Sequence, residues 1–323
     1  MKNFRSNVCA CVLALTLAAI STDGVTASMP TSAMATGLTC PKESAAPMVS
    51  QVQAIRAIVC ASASRRLVIV GEIHGSNEVP ALVDALVKRV ARTARPVRLG
   101  LEMQASEQAS MEMYLHSSGS ATDRAQLLRR PFWSMRDGRS SRAMLRLIDS
   151  VRALRGSGAD LDIFAMEPDY GDKAAIAHAG GFTVVKEAGM AQAIRHAMDG
   201  AKPPPLVIAL MGNFHARYGK NSPAGSAQTP SVTERLADVA PYVVLPFARQ
   251  SDTWNCQSDG CKVHSFASSH GPKGRLPRFV DAVTTPAGPT VVELWLQKMT
   301  PALPASPAAA KPAAAKPIPP KSG

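Results

Sequence analysis

Six short apolar runs constrain this chain more than anything else in it. "RLVIVGE" (66–72), "VRLGLEM" (97–103), "LDIFAMEPD" (161–169), "LVIALMGNFH" (206–215), "YVVLPFA" (242–248) and "TVVELWL" (290–296) are apolar with little or no alternation. A strand with one wet face alternates, whereas a strand covered on both faces reads as a continuous run, as in a parallel sheet. Helical stripes lie between the runs. Leu82, Val83, Leu86, Val87 and Val90 repeat at helical spacing, with Pro80 suited to a first turn. Met144, Leu145, Ile148, Val151 and Leu154 form a second stripe between Ser140 and Gly156; Met190, Ile194, Ala197 and Met198 form a third, stopped by Gly200 and Pro203. Strand alternating with helix predicts an α/β fold, a mostly parallel sheet flanked by helices. The stretch from Met103 to Leu161 is too long for one crossover and predicts a helical insertion at about 104–158, between strands 2 and 3.

The two ends read differently from this core. Lys2 and Arg5 precede an apolar segment, Val8 to Ile20, that is short for a membrane span, and "VTA" before Ser28 suits cleavage after Ala27. Residues 1–27 are therefore expected to be a signal peptide and the protein periplasmic or secreted. Residues 28–45 read as a linker and 46–300 as the folded domain. Residues 301–323, with a repeated "AAAKP", read as a disordered Ala/Pro/Lys tail. With Cys9 and Cys11 in the signal, Cys40, Cys60, Cys256 and Cys261 remain, an even number that suits two disulfides in an oxidising compartment. Cys256 with Cys261 and Cys40 with Cys60 is one pairing. A zinc site drawing on His264 and His270 is the rival use of the same cysteines.

The formal net charge of +12 falls partly on those ends, in Lys2, Arg5, Lys311, Lys316 and Lys321. Aromatic residues make up 5% of the chain and no nucleic-acid module is visible, so the charge points to anionic ligands or an anionic envelope surface, with peripheral envelope association as the partner implied.

The chemistry gathers where the strands end. The first run closes on Glu72 and His74, the second on Glu102, the third on Glu167, the fourth on Asn213 and His215. In a parallel sheet these tips face one way, and ligands bind outside the carboxyl ends of strands. Gly71 and Gly75 ease the exit of the first strand, and Ser76 or Asn77 is placed to cap the next helix. Two tips share the form G-x-x-H, "GEIH" and "GNFH". Histidines and carboxylates so gathered can hold a divalent metal and acidify its water, or deprotonate a water directly. Glu72, His74, Glu102 and His215 are the candidate catalytic residues, with His74, Glu102 and His215 as metal ligands. Glu167, followed by Pro168 and Asp169, reads as readily as a cap or supporting group as it does as a residue of the site itself. The arginine-rich "RRPFWSMRDGRSSRAMLR" (129–146) either faces the tips and binds carboxylates or is a solvated face. H-E-x-x-H, G-x-S-x-G and the phosphate-binding loop are missing from the sequence.

"VGEIHGSNEVPALVDAL", "LGLEM" and "LMGNFHARY" together resemble the ChaN-like branch of the superfamily that includes Tiki proteases, TraB-like proteins and erythromycin esterases. The likeness spans about residues 66–250, in order and spacing. It implies an α/β core with a helical insertion, and either haem-binding uptake proteins or hydrolases, some of them metal-dependent. "LEMQ" departs from the aromatic more usual after Glu-Met, and the haem-ligating tyrosine of the family has only Tyr114 and Tyr218 as candidates. The expected function is thus hydrolysis of an ester or peptide, with a small-molecule or peptide substrate, and the alternative is a haem-binding periplasmic protein. Both G-x-x-H motifs beside Glu102 favour the hydrolase, because haem needs one or two axial ligands and no carboxylate cluster.

Overall fold

The computed structural model describes residues 50–199, 203–219, 229–268, 271–285 and 287–306. The expected signal peptide, the linker, Cys40, His270 and most of the Ala/Pro/Lys tail lie outside these.

Six strands run parallel: β1 (Leu67–Glu72), β2 (Val97–Gln104), β3 (Leu161–Glu167), β4 (Leu206–Gly212), β5 (Tyr242–Gln257) and β8 (Thr290–Met299). Each falls on one of the six apolar runs, with Asn213–His215 of the fourth run passing into a short helix. Two further strands, β6 (Gly260–Ala267) and β7 (Arg278–Thr284), pair antiparallel with β5 and β8. The sheet order is β3-β2-β4-β1-β5-β8-β7, with β6 on the extension of β5. The reason for unbroken apolarity is visible in β1: Val68 and Val70 enter one core, Leu67 and Ile69 the other, and every residue of the strand is buried.

The first core is covered by α1 (Gln51–Ala61), α2 (Glu78–Ala91) and α6 (Arg142–Gly156), the second by α8 (Phe182–Met198) and the short α9 (Asn213–Ala216) and α10 (Val232–Arg235). Between β2 and β3 the chain forms a 3-10 turn and then α3 (Gln108–Leu115), α4 (Ala121–Leu128), α5 (Pro131–Ser134) and α6. Trp133, Phe132 and Leu147 from this stretch join the first core, so the helices share its packing. A short α7 (Lys173–His178) precedes α8. No helix among the described residues is long and apolar enough to cross a membrane.

Cys256 and Cys261 form a disulfide across the β5–β6 hairpin. Cys60 is also disulfide-bonded; the Cys40 half of the expected pairing lies outside the described residues. His264 hydrogen-bonds Asp259, which leaves the disulfide and not zinc as the use of these cysteines.

Two expectations about the rim change. Asn77 stands at the N-cap of α2, but its side chain makes no cap; it bonds Thr300 Oγ1, the Pro301 carbonyl and Arg146 instead. The tail, expected to be free from 301, is docked as far as Ser306: Ala302 and Pro304 are buried, and backbone bonds tie Ala302 to Gly75, Arg142 to Leu303 and Ala305 to Ser140. Gly75 earns its place at φ +83°, where a Cβ would come 1.8 Å from the Trp254 carbonyl oxygen. Gly75→Ala should therefore lower stability by about 2–3 kcal/mol, read from denaturant unfolding.

Candidate functional site

Four neighbouring strands, β3, β2, β4 and β1, deliver their C-terminal ends to one place, and the four predicted residues meet there. Glu102 is the hub. Its Oε2 accepts the backbone N–H of Gly212 at 2.6 Å and its Oε1 accepts Lys186 Nζ at 2.8 Å. His74 Nε2 lies 3.6 Å from Oε2, and His215 Nε2 lies 3.7 Å from Oε1. Each imidazole is held from behind by a second carboxylate. His74 Nδ1 meets Glu72 Oε2 at 3.0 Å, and His215 Nδ1 meets Glu187 Oε1 at 2.5 Å. A carboxylate accepts, so both rings carry a proton at Nδ1. The result is a line, Glu72–His74–Glu102–His215–Glu187, with the three carboxylates buried and the imidazoles partly open to solvent.

Local structure explains the approach. Gly212 bears no side chain where a Cβ would come 2.9 Å from His74 Nε2, so the ring can lie over the end of β4. The break of β4 into α9 then turns Asn213 inward and brings His215 under Glu187 of α8.

Cations balance the carboxylates. Lys186 bridges Glu102 and Glu167, and Arg139 Nη1 lies 2.7 Å from Glu167 and 3.6 Å from Glu102. Asp137 grips the other side of the same guanidinium, at 2.8 Å from Nε and 2.6 Å from Nη2. Glu167 is thus a member of the cluster and not a cap. Of the two readings of the arginine-rich stretch, Arg139 takes the one that faces the tips. Lys186, Glu187 and Tyr170 were not singled out from the sequence. The Tyr170 ring packs on Phe182 at 4.4 Å, and its hydroxyl is buried without a hydrogen-bond partner.

The electrostatics follow from these contacts. Burial pushes Glu102 up, but His74, Lys186 and His215 overcome it and hold the carboxyl well below its ordinary range. Burial pulls His74 down, yet the charge and hydrogen bond of Glu102, together with Glu72, raise it to about 10. Glu72 is pushed up by burial, partly offset by His74. Lys186 is desolvated but raised by Glu102 and Glu167. Burial also pushes Tyr170 up, with Glu167 and Glu102 adding to it. His74 is therefore an imidazolium at neutral pH. Because its folded value lies above 6.5, its stabilising contribution is complete below pH 6.5 and is lost as pH rises through about 10. An NMR titration of the His74 ring should place its midpoint near 10, and the ionisation-linked stability gap between wild type and His74→Gln should close between pH 6.5 and about 10.

The predicted metal set, His74, Glu102 and His215, converges but does not fit a divalent ion as arranged. An ammonium and a backbone N–H take the two oxygens of Glu102, and a carboxylate so engaged has little left to give a metal. Among the described residues no group of three or more His, Cys, Asp or Glu is set to hold one. Tyr114, a candidate haem ligand, is buried in the first core with its hydroxyl bonded to Asp149, and Tyr218 packs against the second core. Besides the Tyr170 hydroxyl, four buried polar atoms at the site have no hydrogen-bond partner: Glu72 Oε1, Glu187 Oε2 and both amide atoms of Asn213.

No protein-family model matches the sequence, and no curated protein matches it. Solved structures do. A protein from Bacillus cereus superposes with a TM-score of 0.55 at 12% identity, over 83% of this chain and 96% of its own. A succinoglycan biosynthesis protein gives 0.56 at 9% identity, over 82% and 95%. An erythromycin esterase mutant in its open conformation gives 0.51 at 12% identity, over 72% and 81%. At these identities what is shared is the fold alone, an α/β sheet flanked by helices.

Proposed function

We propose that this chain is a hydrolase of ester substrates that moves protons between paired imidazoles and works without a metal. One observation carries the reading: two imidazole Nε2 atoms face opposite oxygens of one buried carboxylate, and each ring is oriented at Nδ1 by a further buried glutamate. Two polar atoms 3.7 Å apart can both contact one water at ordinary hydrogen-bond distance, so the space beside His215 Nε2 and Glu102 Oε1 suits the attacking water. His215, backed by Glu187, accepts the proton of that water as its oxygen bonds the ester carbonyl carbon. The oxyanion that forms faces the His74 imidazolium and Arg139. Collapse breaks the C–O bond, and the leaving alkoxide takes a proton from His74.

Support comes from the surroundings. Phe214, Phe182 and Met135 are exposed apolar side chains, and each touches a site residue: Phe214 meets His215 edge-on at 5.3 Å, Phe182 packs on Tyr170, and Met135 Sδ lies 3.6 Å from Arg139 Nη2. Apolar side chains beside a charged cluster favour a substrate whose ester is flanked by apolar groups. An esterase shares the fold. The signal-like N-terminus and the disulfides favour a periplasmic or secreted setting.

The haem alternative requires at least one axial ligand, and an imidazole that supplied it would have to turn its Nε2 away from Glu102. Two assays on the pure protein separate the readings. Turnover of p-nitrophenyl esters without a stoichiometric haemin complex is the expected result. A tight one-to-one haemin band with no ester turnover would replace the hydrolase by the binding protein.

A further inference from the structure

Arg139 reaches Glu102 and Glu167 from a short turn, 135–140, that has little secondary structure of its own. What holds this turn comes from far along the chain. The indole Nε1–H of Trp254 donates to the Arg136 carbonyl at 2.8 Å, and Cys256 Sγ lies 3.8 Å from the same oxygen. The Arg136 guanidinium lies over the Trp254 ring, 5.8 Å from its centre. On its other side, the Trp254 backbone N–H donates to Gly75 at 3.0 Å, one residue past His74. Gly138, at φ +97°, fits between the two loops: a Cβ there would come 2.6 Å from the Trp254 carbonyl oxygen and 2.9 Å from the His74 carbonyl carbon. Within the turn, Ser140 Oγ accepts the Arg136 N–H at 3.0 Å, and Asp137 aligns the Arg139 guanidinium. Trp254 thus touches both the loop that carries Arg139 and the loop that carries His74.

Trp254 itself sits near the end of a two-stranded ribbon that projects beyond the parallel sheet. It pairs with Val263, two positions before the facing Cys256 and Cys261. β6 is an edge strand, exposed at nearly every position, so its register depends on β5 and on the covalent link.

We propose that Trp254 is a positioning residue of the site: its indole N–H fixes the turn that delivers Arg139 to Glu102 and Glu167, and the Cys256–Cys261 disulfide keeps Trp254 in place. Trp254 contacts no reacting group in this scheme; it acts through Arg139. The inference rests on the proposed hydrolysis for its kinetic arm alone.

The test is Trp254→Phe, which keeps an aromatic ring and removes the donor, with Cys256→Ser/Cys261→Ser as a second variant. Arg139 reactivity toward phenylglyoxal is followed by peptide mass spectrometry, with exposed Arg129 as the internal control. Losing this part-buried hydrogen bond should speed Arg139 modification by roughly 5- to 10-fold while Arg129 is unchanged. The double serine variant should show the same sign with a smaller effect. Ester kcat should fall by a similar factor with KM little changed, and the melting temperature should move only slightly. Arg139 as protected in Trp254→Phe as in wild type would overturn the proposal, as would Arg129 and Arg139 accelerating together. If wild type turns over no ester, the hydrolytic reading fails, but the modification rates still decide the positioning role.

Discussion

Replacing Lys186 with methionine should cost the protein about 3–5 kcal/mol at pH 7, the largest stability effect expected of any single change at the site. The ammonium sits between Glu102 and Glu167, both buried, and bonds each. Methionine fills similar volume and carries no charge, so two carboxylates would be left sharing Arg139. The unpaired charge is the source of the loss, and pH should reveal it. In wild type Glu102 is depressed, so its contribution is present above pH 4.5 and falls away as pH drops below it. In the variant Glu102 loses the ammonium that helps to lower it, and the deficit should shrink as pH falls and this carboxyl protonates. Lys186→Met/Glu102→Gln, which removes a charge of each sign, should recover much of the loss. Denaturant unfolding of the three proteins at pH 7 and pH 5 gives all these numbers. A single variant as stable as wild type at pH 7 would mean that Lys186 is solvated and the cluster loosely held.

His215→Ala should lower ester turnover by roughly 10²- to 10⁴-fold, the usual yield of a positioned acid or base. His74→Ala should lower it comparably, and the double variant should be little worse than either single, because groups acting on one proton path are not additive. Glu187→Gln tests the orientation argument. The amide no longer provides a carboxylate for Nδ1–H, and the ring loses its fixed tautomer while the shape of the site is kept. These substitutions are not silent for stability, as strand-tip residues usually are. Each imidazole is the partner of a buried carboxylate, so each alanine should cost about 1–3 kcal/mol. Turnover retained with a large fall in melting temperature would make the histidines structural.

How much of this was legible in the sequence depends on which element carried the residue. β1, β2 and β4 announce themselves as unbroken apolar runs, and a run that ends in Glu72, Glu102 or Asn213 shows where its polar tip falls. Parallel pairing then gathers the tips at one rim, and the meeting of Glu72, His74, Glu102 and His215 could be expected before any geometry was known. Lys186 and Glu187 were hidden because a charged pair inside a helix reads as a solvated face. The signal was present in spacing: Met190 and Ile194 are buried, and the same stripe carried back one turn falls on Lys186 and Glu187. Arg139 was one of many arginines in its stretch, and only tertiary placement selects it. β6 left no pattern to find, because a strand exposed at nearly every position has no buried face to mark its period. The docked Ala302 and Pro304 were missed for the opposite reason: small residues in a low-complexity tail look unable to bury surface, yet backbone bonds from Ala302 to Gly75 and from Ala305 to Ser140 hold the segment.

Ester hydrolysis by wild type, His215→Ala and Glu187→Gln, measured before and after exhaustive chelation, tests the central claim most directly. Wild-type turnover should survive chelation unchanged, while both variants are slowed under either condition, His215→Ala by roughly 10²-fold or more. Activity that disappears on chelation and returns with a divalent ion, or that is equal in wild type and His215→Ala, would contradict it.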